Sequence, residues 1–387
     1  MALTIYNAND ILYTVALDDD LPRGSLPQAV ITVLLVDELT GLAPAGDIQI
    51  DSTLLGLTPH SGFGGLAGLA GIPTRALSLL RSKDYPVTLQ IRAAGYLDVS
   101  TAVTILKTPD FPGVFNPPPM LTILLHRQPA TLSGRAVVSS SSGITPAAGA
   151  TITMTGLWRT LPPANVVVPP DPPNIVSLNP ALYVDRLAPG TQIAGTDFLG
   201  APGPDKRLLA DARPGESVVQ LSDCLLLAPN DVVAIDSGDP AVTEFIEIQS
   251  IAKSVADNLP ATITLAYPLI FTHGRNAVAH KVTFQPPGLL TTLAQDAIAG
   301  DCCAFLTTPA NLGVSPFAQF QGGASPEYHR ATNFTVMCDS AGFFRLPPLS
   351  RVAQCKLKGL DGTHSEVDLI VCPDYSPAPT PVDFVFQ

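Results

Sequence analysis

Charge is what this sequence has least of. Only 14% of its 387 residues are charged, against roughly 25% in an average soluble domain, so an unusual share of its exterior falls to neutral and apolar side chains. The few basic residues, 21 Lys and Arg against 33 Asp and Glu, leave a net charge of −12. Nucleic-acid affinity rests on clustered positive charge, and none is expected here. Aromatics are sparse, at 6% with the single Trp158, which argues against a shallow aromatic platform of the kind that recognises glycans. No uncharged apolar run reaches the roughly 18 residues that cross a bilayer, because Pro, Gly and Asp interrupt each one, so membrane insertion is not expected. The start of the chain, Met1 to Tyr6 followed by Asn7, Asp10 and Asp18 to Asp20, lacks the basic stretch and apolar core of a secretory signal. Synthesis in the cytoplasm without a signal peptide is expected.

The common catalytic templates are missing too. There is no phosphate-cradling Gly-x-x-x-x-Gly-Lys-Ser/Thr, no dinucleotide fingerprint and no Gly-x-Ser-x-Gly elbow. Six cysteines (Cys224, Cys302, Cys303, Cys338, Cys355, Cys372) form no Cys-x-x-Cys pair and no regular framework; they read as reduced core residues. The six histidines, His60, His126, His273, His280, His329 and His364, show no compact ligand spacing and read as surface or loop residues. Val233-Ala-Ile-Asp-Ser-Gly238 mimics one loop of an aspartic protease. Such a site needs two carboxylates close enough to share a proton, and no second copy exists, so Asp236 reads as a turn residue and a hydrolase built on it as the least favoured activity. Asp236, Asp239, Glu244 and Glu247, or Asp18 to Asp20, are oxygen-rich enough for Ca²⁺, although solvated turns are the plainer reading. No catalytic, cofactor-binding or metal-ligating residue is assigned.

What the sequence does have is punctuation. Its 39 Pro and 30 Gly break the chain into short apolar runs, as turns and strand ends do. Ile31 to Val36 is a run of strand length, followed by the turn signal Asp37 to Gly41 and the alternation Asp47 to Asp51, which predicts a hairpin. Val87 to Arg92, the turn Ala93-Ala-Gly-Tyr96, and Val99 to Leu106 predict a second strand pair. Between them, Ser61 to Gly65 with Gly68 and Gly71 reads as a loop too glycine-rich to pack regularly, and it is expected to touch a neighbour together with the edge strands. Ala130 to Val138 and Ala150 to Met154 begin a second module. Its matching half returns only after residue 330, at Phe334 to Pro347, Ala353 to Leu357, Val367 to Cys372 and Val382 to Phe386. The intervening segment opens with a polyproline-like stretch through Pro162, Pro163, Pro169, Pro170, Pro172 and Pro173. It then carries four alternating runs, Ser217 to Leu221, Asp231 to Asp236, Glu244 to Ile248 and Ala261 to Leu265, at the spacing of a small barrel. Leu289 to Ala299 places its leucines on one face of a short helix.

Ser133-Gly134, Pro146-Ala-Ala-Gly-Ala-Thr-Ile152 and Asp339-Ser-Ala-Gly-Phe-Phe-Arg-Leu346 resemble the motif series of carboxypeptidase-regulatory or transthyretin-like sandwiches. Ala93-Ala-Gly-Tyr96 is similar to the end of such a domain, although the first module lacks the Asp-x-x-Gly-x-Phe element. Pro214 to Ser222, Asp231 to Asp239 and Glu244 to Ile248 resemble barrel modules of phage-tail and contractile-injection proteins. The expected fold is therefore mainly β, with two transthyretin-like sandwich modules. The first spans 1–127; the second is discontinuous, 128–165 and 330–387, interrupted by an insertion over 166–329 with a small β-barrel at about 205–285 and a short helix after it. The resemblances imply a non-enzymatic structural subunit of a bacterial phage-tail-like or contractile injection particle (baseplate, spike or fibre connection), released or attached to a membrane after assembly. Its partners would be other protein subunits, further copies of itself among them, and a small-molecule ligand is not expected. The alternative is a surface adhesin or glycan-binding module working through sandwich-end loops.

Overall fold

The computed structural model describes residues 29–54, 57–70, 83–107, 119–161, 168–172, 174–253, 256–286, 288, 290–308, 312 and 315–387, and the backbone of two paired strands, Ala2–Ala8 and Ile11–Leu17. It is mainly β, in short strands, with no α-helix among the described residues. The chain divides into two compact units, Met1–Gln128 with Arg159–Leu161, and Pro129–Trp158 with Pro162–Gln387.

In the first unit the β-branched run forms the strand Ala29–Asp37, whose alternate side chains Ile31, Val33 and Leu35 are buried. It pairs antiparallel with Leu66–Ala70 and parallel with Leu121–Leu125. A second sheet, Ile48–Ser52, Tyr85–Ala93 and Val99–Ile105, shares the same core through Ile50, Leu89, Ile91 and Ile105. Two expectations are corrected. The predicted first hairpin does not form: residues 38–47 carry the chain to the other sheet, where Ile48–Ser52 pairs with Tyr85–Ala93. A turn signal fixes a reversal but not which partner receives the strand. The glycine-rich segment is a loop only as far as Gly65. Leu66–Ala70 is a fully buried strand, since Leu66, Ala67, Leu69 and Ala70 supply apolar surface that outweighs the backbone freedom of Gly68. Gly71 lies outside the described residues.

Tyr96 of the Ala-Ala-Gly-Tyr turn closes this unit. Its hydroxyl donates to the buried Asp37 Oδ2 at 2.8 Å, which also accepts Arg127 Nε at 2.8 Å and Nη2 at 2.6 Å. Burial alone would push the Asp37 carboxyl up, but hydrogen bonds from Arg127, Tyr96 and the Leu39 amide outweigh it and hold the pKa below the usual value.

The second unit holds a sandwich-like module and a large insertion. In one sheet Leu132–Ser140 is central, with Gly143–Pro146 and Phe343–Arg345 antiparallel to it and Thr380–Pro381 and Phe384–Phe386 parallel. The other sheet runs Thr335–Met337, Thr151–Trp158, Gln354–Leu360, Val367–Val371. Between them lie Ile152, Leu157, Phe344, Leu346, Leu357, Phe384 and Phe386. The Asp339 turn works as its residues suggest. Asp339 Oδ1 accepts the amides of Ala341 and Phe343 at 2.9 and 2.8 Å, and Gly342 takes the left-handed φ of +79°. That φ penalises any residue with a Cβ.

The insertion is more elaborate than one barrel. Lys206–Arg207, Val278–Val282, Val232–Ile235, Glu244–Lys253, Ala261–Leu265 and Val218–Leu221 pair in succession, and a bridge from Leu221 to Leu208 closes the circuit. Leu208, Leu221, Ile235, Ile248, Ile263 and Leu265 fill it. A second circuit follows through Glu327–Thr332, Phe317–Gln321, Gln192–Thr196, Leu290–Thr292, the Leu293 to Leu306 bridge, Cys303–Phe305 and Ile175–Asn179. The two rings meet where Phe245 pairs with Tyr328. This second ring takes up residues expected to form a helix. Instead, 290–292 and 297–298 are strands, with Thr291, Leu293 and Ala297 buried. Leu290 is exposed, so the leucine periodicity did not mark a buried helical face; Leu289 lies outside the described residues. Of the proline stretch, Pro162, Pro163 and Pro173 also lie outside them, while Asp171 bridges to Leu157.

Candidate functional site

The densest polar chemistry lies where the two rings meet. Glu244 opens its strand fully buried, and its carboxylate is saturated with donors. Tyr183 Oη donates to Oε2 at 2.8 Å, the Phe271 amide to Oε1 at 2.8 Å, the Ile270 amide lies 3.1 Å from both oxygens, and His273 Nε2 is 2.9 Å from Oε1. The other imidazole nitrogen of His273 is 3.4 Å from Asp236 Oδ2. Tyr183 links this group to the neighbouring ring. Its amide donates to the buried Glu327 at 2.8 Å, and Glu327 is 3.1 Å from His329 Nε2, whose Nδ1 faces the Pro180 carbonyl at 2.9 Å. Tyr183 also stacks on Tyr267 with ring centroids 5.6 Å apart. One hydrogen-bonded chain, Asp236 to His273 to Glu244 to Tyr183 to Glu327 to His329, thus runs through both rings.

Sequence reasoning placed these residues differently. His273 and His329 are fully buried, not surface residues, because each has a buried carboxylate to meet it. Asp236 does sit in a turn, in the left-handed region at φ 59°. The oxygen-rich residues do not converge. Asp239 caps its own turn through the Ala241 amide at 3.0 Å, Glu247 accepts Ser325 Oγ at 3.1 Å, and Glu244 is spent on the network. No group of three or more His, Cys, Asp or Glu suited to a metal ion occurs among the described residues; Asp18 to Asp20 lie outside them. Five cysteines are buried and free, as read, but Cys372 is exposed: its strand, Val367–Val371, is an edge of the sheet, and Cys372 follows its end. Burial pushes the Cys355 thiol up to about 12, which makes it inert.

The network joins segments of both rings through buried hydrogen bonds. A general base needs a lone pair facing a substrate, whereas every oxygen of Glu244 already accepts. Burial pushes His273 down, but the hydrogen bond and charge of Glu244, with smaller contributions from Asp236, outweigh it and raise its pKa above the usual 6.5. A raised folded-state pKa gives stability that is complete below the unfolded value, near 6.5, and lost as pH rises through the folded one. The melting temperature of the second unit is therefore expected to fall as pH is raised above about 6.5, and His273→Gln is expected to flatten that part of the profile in a pH series of thermal melts. An unchanged slope in the variant would place the titrating group elsewhere.

Exposed apolar surface is the other candidate. In the sandwich-like module, residues of Leu132–Ser140 that point outward are paired with Phe343, Val385, Pro146 and Ile144, opposite Arg135, Val137 (twice) and Ser139. Ile144 is 72%, Phe343 55% and Val385 46% exposed, and Arg135 covers one face of Phe343 at 5.4 Å. The outer face of the opposite sheet differs. It carries Thr151, Thr153, Thr155 and the ion pairs Lys356 with Asp368 at 2.8 Å and Lys358 with Glu366, with Met337 and Ile370 exposed on its two edge strands. In the first unit, Phe63 stands 98% exposed on the short turn Phe63–Gly65. Trp158 is half-buried, and its indole nitrogen donates to the Val168 carbonyl at 3.1 Å. Among the described residues no helix is long and apolar enough to cross a membrane.

No family model matches the chain, and no curated protein matches it. Among solved structures it is similar to the major pilin subunit of Bacillus cereus at a TM-score of 0.19 and 9% identity, over 92% of this chain and 97% of that one. That likeness is too slight to carry an argument about fold or function.

Proposed function

We propose that this chain is a non-enzymatic structural subunit that works by being held between other protein subunits, in a particle of the phage-tail-like or contractile-injection kind. The two sandwich-like cores are then transthyretin-like modules, and the inserted rings a rigid spacer. The observation that carries the reading is the set of exposed apolar side chains that one outer face of the second unit's sandwich-like module gathers around its central strand, Phe343, Val385 and Ile144; the other face also exposes Met337 and Ile370 on its edge strands, but sets threonines and Lys–acid pairs between them. Exposed apolar side chains grouped on one face mark contact sites on soluble proteins. The saturated Glu244 network supports a mechanical role over a hydrolytic one, and no observation favours the adhesin reading.

Sedimentation velocity on the purified chain tests this. The expected result is concentration-dependent association that the double variant Phe343→Asp, Ile144→Asp weakens by about 100-fold, about tenfold for each buried side chain lost, without lowering the melting temperature. A monomer at every concentration, or association indifferent to both substitutions, would count against this face as the contact.

A further inference from the structure

The junction of the two rings contains a cavity of about 150 Å³ lined by Phe198, Pro202, Ala234, Phe245 and Val282, with Arg330 in its wall. Arg330 is an anomaly there. Its guanidinium carbon lies 5.6 Å from the Phe245 ring centre and 5.2 Å from that of Phe317. Arg330 is half-buried, and its Nε is buried without a hydrogen-bond partner. Two cations buried more deeply in this unit are matched: Lys206 Nζ is 2.9 Å from Asp223 and Arg351 Nη2 is 2.9 Å from Asp296. Burial pushes Arg330 down with no carboxylate opposing it. Aromatic faces offset part of the cost of a half-buried cation, but they do not use its planar donor fork.

We propose that this cavity binds a small organic carboxylate, its apolar body seated against Phe198, Phe245 and Val282 and its carboxylate on the Arg330 fork. A cavity of this volume holds a body about the size of a benzene ring. A carboxylate is the anion whose two oxygens match a guanidinium edge. Two other polar side chains at the wall, Thr243 and His280, are already engaged, while Ser237 and Thr283 add small neutral hydroxyls to it. Thr243 Oγ1 donates to the carbonyls of Asp236 and Asp239 at 3.1 and 2.7 Å, and His280 Nδ1 is 3.2 Å from Asp205. Sites of this kind favour the seam between modules, and the ring junction is such a seam. The inference is independent of how the chain assembles, and it departs from the expectation that no small molecule binds.

Titration calorimetry of the full chain with benzoate, and with benzamide as its neutral isostere, tests it. Benzoate is expected to bind saturably with a dissociation constant on the order of 1 mM or tighter. Benzamide should bind at least about tenfold more weakly. Arg330→Met, which keeps the stem over the rings and removes the fork, should bring benzoate down to the benzamide value. Should that variant fail to fold, the wild-type pair of probes decides alone. Equal binding of the two probes, benzoate binding undiminished in a folded Arg330→Met, or no saturable benzoate binding up to about 20 mM overturns the proposal.

Discussion

Replacing Glu244 by alanine is expected to destabilise the second unit by about 3–5 kcal/mol, the usual cost of removing one member of a buried charged pair. Four donors lose their acceptor at once: the Tyr183 hydroxyl, the amides of Ile270 and Phe271, and His273. Each left dry and unpaired costs on the order of 1 kcal/mol or more, and His273 keeps only its longer contact to Asp236. Because the donors come from two separate segments, Tyr183 and residues 270–273, the loss is expected to loosen the two rings together. Urea unfolding followed by tyrosine signals measures it. Glu244→Gln retains one acceptor oxygen and should lose less. A shift below about 1 kcal/mol for the alanine variant would mean that the network does not hold the rings together.

Gly134 is the second position where a small change should act strongly. It pairs with Phe344 inside the sandwich-like module, and a Cβ added there would stand 1.7 Å from the Val382 carbonyl oxygen and 2.5 Å from its carbon. Those atoms belong to the backbone, so no rotamer change relieves the clash. The C-terminal segment, held by the Val382 amide to the Ser133 carbonyl at 3.0 Å, has to move away. Gly134→Ala is expected to cost about 3 kcal/mol or more, the upper range for overpacking, and Gly134→Val to unseat Phe384 and Phe386 from the core. Gly274→Ala, where nothing lies within 4 Å of the added carbon, is the matched control and should be neutral or stabilising by a few tenths of a kcal/mol. Equal melting temperatures for Gly134→Ala and the control would show that this close approach is not maintained in solution.

Local pattern carried much of this fold. The alternation in Val87 to Arg92 and Val99 to Leu106 did become an antiparallel pair. The Asp339 to Leu346 motif turned where its residues require, with Phe344 and Leu346 inside and Phe343 out. What failed was partner choice. Ile31 to Val36 and Asp47 to Asp51 are both strands, yet each pairs elsewhere, because alternation fixes which face is buried and not which strand lies alongside. The second ring escaped notice for the same reason: its strands are as short as Cys303–Phe305, and Ile175–Asn179 pairs with residues past 300. Glu244 reads as a solvated turn acid and nothing in the sequence singles out Glu327, since a buried carboxylate is recognisable only once Tyr183, His273 and His329, brought in by those long connections, surround it. Arg330 carried no local signal; the absence of a partner for its buried Nε is a property of the packed ring junction.

Oxidative footprinting, comparing the purified, diluted chain with the assembly recovered from its native source, tests the covered-face claim most directly. Phe343 and Met337 lie on opposite outer faces of the same module and are 55% and 72% exposed. The expected result is strong protection of Phe343 on assembly while Met337 keeps its reactivity. Equal modification of Phe343 in both states would contradict a role in which this face is buried against a neighbouring subunit.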